Sequence, residues 1–172
     1  MKIRSATVGD ADKLLEIYRP YVENTAVSFE YEAPSLETFQ NRIETTLKRY
    51  PYLVIEEDDV IYGYTYAGPF KGRPGYDHSV ELSIYVRQQD KGKGCGRKLY
   101  EAIEKELETM GYLNLYACVA YPVKEDEYLT KNSAEFHAHL GFQKVGEFHR
   151  CAHKFGHWYD MIWMEKIIRW DL

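Results

Sequence analysis

Gln89-Asp90-Lys91-Gly92-Lys93-Gly94-Cys95-Gly96-Arg97 sits between a strand pattern over Ser79 to Arg87 and a helix pattern from about Gly96 to Met110. Glycines at alternate positions let a backbone turn tightly and approach a ligand closely. A helix that starts directly after them offers unpaired N–H groups and a partial positive charge, which suits a pyrophosphate. Lys91, Lys93 and Arg97 add local positive charge. A flexible turn with solvated lysines is the competing reading of the glycines alone. Two other phosphate motifs do not fit: Cys95 follows Gly94 where a Walker loop needs Lys-Ser/Thr, and the even glycine spacing differs from Gly-x-Gly-x-x-Gly.

Working outward, Ile3 to Thr7 alternates as a strand, and Leu14, Ile17, Tyr18, Tyr21 and Val22 follow at helical spacing. Ser35 is placed to cap a second helix that ends near Arg49. Tyr52 to Glu56 and Val60 to Ala67 read as a hairpin around the solvated turn Glu57-Asp58-Asp59. The turn-rich Gly68 to Gly75 leads into Ser79 to Arg87, and Gly111 closes the long helix. Leu113 to Ala120 reads as a buried strand and Tyr121 to Leu129 as an exposed loop. A helix follows from about Lys131 to Leu140, then strands over Gln143 to His153 and His157 to Ile167. The expectation is one α/β (α+β) domain over residues 1–172, a mixed central sheet of about seven strands flanked by about four helices.

The 172 residues suffice for one core. A formal charge of −5 without a Lys/Arg-dense stretch argues against a nucleic-acid partner. No segment reaches the roughly 18 apolar residues of a membrane span, and Met1-Lys2-Ile3-Arg4 carries no apolar leader, so a cytoplasmic protein is expected. Cys95, Cys118 and Cys151 are odd in number and scattered, which points to reduced thiols, with Cys95 alone in a conspicuous place. His149, Cys151 and His153 alternate on one strand with His157 beyond, superficially a metal set. The expectation is no metal.

Gln-x-x-Gly-x-Gly between strand and helix resembles the acetyl-CoA pyrophosphate signature of the GNAT superfamily, and His137-Ala138-His139-Leu140-Gly141-Phe142 resembles the segment closing its last helix. Within it, the chain resembles the phosphinothricin and methionine sulfoximine N-acetyltransferases along nearly its whole length. The stretches that carry this are Val22 to Glu30, Arg49 to Val54, Tyr66 to Lys71 through Tyr76-Asp77, Val80 to Val86, and Lys154 to Asp160.

The resemblance implies the GNAT fold, acetyl-CoA as donor, and a small amino-acid-like amine as acceptor. It implies that backbone groups of Ile84, Tyr85 and Val86 pair with the pantetheine arm like an added strand, while Gln89 and Gly92, Lys93, Gly94, Cys95, Gly96 and Arg97 form the pyrophosphate turn. Cys95 is then a spacer. It places Glu81 as the base that takes a proton from the amine, directly or through water, and His137 where the superfamily usually has the tyrosine thought to protonate the leaving thiolate. A strand carboxylate paired with Arg73, and a core histidine, are the structural alternatives. Phe29, Tyr76 and the loop bearing Lys71, Arg73 and Gly75 are placed to shape an acceptor pocket whose basic groups neutralise an acidic substrate. Thr130 stands where the family usually has Asn, leaving Asn132 and Ser133 as the helix-start cofactor contacts. The last strands resemble a homodimer region. Two rivals stay open: a GNAT acting on another amine, such as an aminoglycoside, a polyamine or a protein N-terminus, and a non-catalytic acyl-CoA sensor.

Overall fold

The computed structural model describes residues 1–169, so the last three positions of the expected 1–172 domain lie outside the described residues. Seven strands, β1 (Lys2–Ser5), β2 (Tyr52–Glu57), β3 (Val60–Pro69), β4 (Ser79–Val86), β5 (Asn114–Tyr121), β6 (Gln143–Lys154) and β7 (His157–Ile167), form one sheet in the order β1-β2-β3-β4-β5-β7-β6. Four helices flank it: α1 (Ala11–Asn24), α2 (Leu36–Leu47), α3 (Cys95–Thr109) and α4 (Asn132–His139). Every strand pairing is antiparallel except β4 with β5.

Local chemistry sets the joints. Ser35 accepts from the Thr38 N–H and caps α2, which stops at Leu47 rather than Arg49 because the Arg49 and Tyr50 N–H groups turn back to Thr46 O ahead of Pro51. The β2–β3 turn places Asp58 and Asp59 at φ of 50° and 62°, the two-residue turn whose twist matches the strands. Two glycines end helices in the same way. Gly111 (φ 88°) and Gly141 (φ 92°) carry the chain through left-handed conformations. There the N–H groups of Gly111 and Tyr112 bond Glu108 O and Leu107 O, and those of Gly141 and Phe142 bond Ala138 O and His137 O, each 3.0 Å long. The second motif holds the Phe142 ring edge-on to His137, with centroids 5.3 Å apart.

Two cores lie on opposite faces of the sheet. Leu99, Ile103 and Leu107 of α3 pack with Val80, Leu82 and Leu115, while Leu14, Ile17 and Tyr18 of α1 pack with Ile43, Val54 and Tyr64. A third, smaller cluster joins Ala26, Ala120, Leu129 and Tyr159. It corrects the expectation of a merely exposed loop over Tyr121 to Leu129. Leu129 is 3% exposed, and Asp126 organises the segment by accepting from the N–H groups of Tyr128 (2.8 Å) and Leu129 (2.9 Å).

Candidate active site

The sheet opens at the parallel joint between β4 and β5. β4 and β5 pair over three rungs, Ser79 with Asn114, Val80 with Leu115 and Glu81 with Tyr116, and then diverge while both strands continue. The β5-facing edge of β4 beyond Glu81 is therefore without a strand partner among the described residues, and main-chain groups there are free to bond an extended ligand. A cleft of about 60 Å³ fills the gap, walled by Ile84, Tyr85, Cys118, Val119, Ser133 and His137, with Val27 contributing from the α1–α2 loop. A larger cavity of about 380 Å³ lies between α1, the β2–β3 turn and Arg87 to Gln89, away from these groups. The Val86 carbonyl accepts from Tyr21 Oη at 2.5 Å, so one lone pair of that expected cofactor contact is already used.

The glycine turn follows directly. Gly92 and Gly94 have φ of 84° and 79°, and Gly94 is the N-cap of α3 without a side-chain cap, which leaves the first-turn N–H groups to whatever sits above them. Gly96 serves a different end: a Cβ there would meet Phe136 Cζ of α4 at 2.9 Å. Cys95 is buried with its thiol toward Met1 Sδ at 3.7 Å. The basic groups divide their duties. Lys93 Nζ donates to the buried Asp90 at 2.6 Å, and Arg87 Nε lies 3.2 Å from the other Asp90 oxygen without a hydrogen-bonding alignment. Gln89, in the amide orientation that satisfies both of its ends, accepts from Arg87 Nε (3.1 Å) and Nη2 (2.7 Å). Lys93 and Gln89, though exposed, thus tie the turn to its own residues. Lys91, whose pKa burial lowers, lies over the Tyr21 ring at 5.1 Å, and the exposed Arg97 stands 3.9 Å from Glu101.

Glu81 occupies the last rung before the strands part, and it is half-buried. Burial raises its carboxyl pKa and the Lys71 ammonium partly offsets this, so Lys71 rather than Arg73 is the cation that acts on it. His137 is 4% exposed and both ring nitrogens are engaged, Nδ1 with Ser133 O at 2.7 Å and Nε2 with Tyr100 Oη at 2.9 Å. A carbonyl only accepts, so Nδ1 carries the proton and Nε2 accepts from the tyrosine hydroxyl. Burial lowers the His137 pKa, in keeping with a neutral ring. Asn132 and Ser133 open α4. The Asn132 N–H points to Thr130 Oγ1 at 3.3 Å, so Thr130 does the local capping.

Cys118, not Cys95, is the cysteine at the cleft. Desolvation, then the Glu81 carboxylate and Cys151, push its thiol up to about 12, which leaves it protonated and a poor nucleophile at neutral pH.

The predicted acceptor residues gather at two separate aromatic stacks, neither of which lines the cleft. In one, Phe70 stacks on Tyr116 (4.1 Å between centroids) and meets Trp163 and Tyr76 edge-on, with Lys71 Nζ 5.2 Å above the Phe70 ring. Arg73, Gly75 and Tyr76 are exposed. In the other, Phe29 stacks on Tyr159 at 6.2 Å. Tyr159 Oη donates to Asp126 at 2.7 Å, the Ala26 N–H to Tyr128 O at 3.1 Å, and Lys154 Nζ to one carbonyl in the last turn of α1 and two in the loop after it. No site role is legible in the sequence for Tyr100, Cys118, Asp126, Lys154 or Tyr159, although the last two belong to the Lys154 to Asp160 stretch that carries the family resemblance. A paired position such as Tyr100 to His137 leaves no periodic trace.

The histidine alternation of β6 does not survive folding. The register jumps between Phe148 and Ala152, with Arg150 at φ 49° donating its N–H to Asp160 at 2.7 Å. The groups this bulge gathers within 4.8 Å are Glu147, His149 and Asp160, not His149, Cys151 and His153.

The acetyltransferase (GNAT) domain family matches residues 3–163. The phosphinothricin N-acetyltransferase of Streptomyces viridochromogenes is 31% identical over 161 residues, 94% of this chain and 84% of that protein. The L-methionine sulfoximine/L-methionine sulfone acetyltransferase of Salmonella typhimurium is 31% identical over 166 residues, 96% of this chain and 93% of that protein. Among solved structures, a GNAT superfamily phosphinothricin acetyltransferase from Sinorhizobium meliloti in complex with acetyl-CoA superposes with a TM-score of 0.87 at 29% identity, covering 96% of this chain and 87% of that one. A matched family spanning nearly all the described residues, on a sheet that opens where that chemistry needs it open, means that the chain belongs to the GNAT family of acetyl-CoA-dependent N-acetyltransferases.

Proposed function

We propose that this single-domain chain moves the acetyl group of acetyl-CoA directly to the amino group of a small amino-acid-like acceptor of the phosphinothricin or methionine sulfoximine/sulfone type. The observation that carries the reading is the divergence of β4 and β5 immediately after the rung bearing Glu81. A thioester arm bonded along Ile84 to Val86 has its reactive end at that rung, beside a half-buried carboxylate whose pKa burial raises. The pyrophosphate lies over Gly92 to Arg97 and the start of α3, and Asn132 and Ser133 flank the arm from α4.

The amine nitrogen attacks the thioester carbonyl, its proton passes to Glu81 directly or through a water, and the C–S bond breaks to release the thiolate of CoA. His137 and Tyr100 both line the cleft, and the Nδ1 proton of His137 is spent on Ser133 O. The imidazole Nε2 accepts from the Tyr100 hydroxyl. Lys71 and Phe29 flank the acceptor from the two aromatic stacks, and the positive charge of Lys71 favours an acceptor carrying an acidic group over a polycation such as an aminoglycoside. No step requires a metal.

Release of free CoA, measured with a panel of small amines that includes phosphinothricin and methionine sulfoximine, tests the reading. Turnover of an amino-acid analogue by the wild type, lost on Glu81→Gln, supports it. Acetyl-CoA binding without turnover of any amine defeats it in favour of a sensing module. The exposed Trp158 and Phe148 near the β6–β7 end support a homodimer through these strands, checked by sedimentation. A cytoplasmic location belongs to the same proposal, and no described helix is long and apolar enough to cross a membrane.

A further inference from the structure

Lys154, the last residue of β6, is 3% exposed, yet its ammonium touches no carboxylate among the described residues. Its three N–H groups go to three carbonyls: Val22 (2.6 Å), Thr25 (2.8 Å) and Ser28 (2.7 Å). Val22 lies in the last turn of α1, where carbonyls lack helical donors and a cation is favoured. Thr25 and Ser28 bracket Val27, the one residue of this loop that lines the cleft. Burying an unpaired charge costs several kcal/mol where an apolar side chain would cost nothing comparable. Such a charge is not explained as packing. An ammonium is the side-chain group able to donate in three directions from one point, and three converging carbonyls from a helix end and its loop match that capacity.

We propose that Lys154 is a positioning residue for the acceptor: its grip on the carbonyls on either side of Val27 sets where that side chain stands and so the width of the cleft on the acceptor side. The inference rests on the function proposed above. Lys154 is far along the chain from this loop, and its placement links the β6–β7 hairpin to it, reinforced by Tyr31 Oη on His153 O at 2.5 Å. The donor side, made by β4 and the glycine turn, does not depend on this link.

The test uses the full chain. In Lys154→Met, which keeps the length of the side chain and removes the donors, acceptor KM rises at least about tenfold while the acetyl-CoA Kd, read by calorimetry, stays within about twofold. Val27→Ala alone also raises acceptor KM, and the double variant shows less than the product of the two single effects, because both act through one wall. Unchanged acceptor KM in Val27→Ala overturns the proposal even if Lys154→Met does not fold. So does a Lys154→Met variant whose acetyl-CoA Kd and acceptor KM rise together, or one whose effect multiplies with that of Val27→Ala. Absence of turnover in the wild type defeats the proposed function and this inference with it, whereas normal wild-type turnover with indifferent variants defeats this inference alone.

Discussion

The proposed donor and acceptor sides of the cleft are built from different materials. The donor side is main chain: an unpaired strand edge past Glu81, two glycines at φ near 80°, and the uncapped start of α3. The acceptor side is held by side chains that reach across the fold, Lys154 to the loop after α1, Tyr159 to Asp126 and Phe29 over Tyr159. Backbone recognition tolerates many side chains and suits a constant cofactor. A wall fixed by side-chain bonds changes with single substitutions and suits an acceptor that differs from one relative to the next. Variants on the donor side should therefore change acetyl-CoA binding alone, variants on the acceptor side acceptor KM alone, and variants at the junction neither binding step but the chemistry.

The largest effect belongs to the junction. Glu81→Gln is expected to lower kcat by about 100-fold or more, with acetyl-CoA and acceptor binding little changed, by steady-state kinetics and calorimetry. A loss confined to KM would make Glu81 part of the acceptor wall and erase the junction as a third region.

The pH profile sharpens the same point. Glu81 accepts a proton only when ionised, and burial raises its pKa, so kcat/KM should rise with pH along a limb lying above the ordinary glutamate value of about 4.3, and Glu81→Gln should lack that limb. The sign for stability is opposite to that for activity. Between the unfolded and the raised folded pKa the native state binds the extra proton, so stability declines as pH rises through that window and stays lower above it. Thermal melts across the window should show this decline in the wild type and not in Glu81→Gln. A wild-type limb at the ordinary carboxylate range would mean that the site is wetter than its geometry.

What sequence reading recovers follows the same division. The glycine turn, the Ser35 cap and the closing glycines Gly111 and Gly141 are local, each written within a few residues, and each stands where its residue types demand. Strand ends fall within two residues of expectation, and seven strands with four helices follow from periodicity. The division of basic groups is not local in that sense. Lys93 is bound by Asp90, only three residues away, yet nothing in the composition says which lysine of the turn is tied down. The acceptor wall was hidden more thoroughly. Lys154 and Val22 are 132 positions apart, and an ammonium bound to carbonyls has no acidic partner in the sequence to suggest it. The β6 bulge at Arg150 removes the alternation that made His149, Cys151 and His153 look like one face.

On the donor side, Gly94→Ala isolates conformation from contact. A Cβ there meets nothing within 4 Å, so the only cost is holding an alanine at φ 79°, roughly 1–2 kcal/mol. An alanine that relaxes out of that conformation re-aims the first-turn N–H groups of α3, so about a tenfold loss in acetyl-CoA affinity is expected, with acceptor KM at saturating donor unchanged. Gly96→Val is the contrasting case, because its side chain collides with Phe136 of α4, the helix that carries His137. It should disturb both sides, and a Gly96→Val variant that affects acetyl-CoA alone would show that α4 moves without consequence for the cleft.

The smallest effect is expected from Tyr159→Phe, which deletes one oxygen and keeps the ring that Phe29 stacks on. Asp126 loses a 2.7 Å donor but keeps the N–H groups of Tyr128 and Leu129, so the carboxylate is not stranded and the cost should be that of one charge-assisted hydrogen bond, about 1–2 kcal/mol at most. Part of that goes to loosening the loop that carries Leu129 and, through the Ala26 to Tyr128 bond, the segment beside Val27. Acceptor KM should rise about threefold to fivefold with the acetyl-CoA Kd unmoved. An equal rise in both would mean that the two sides share one support, and the division into a main-chain half and a side-chain half would fail at its most conservative test.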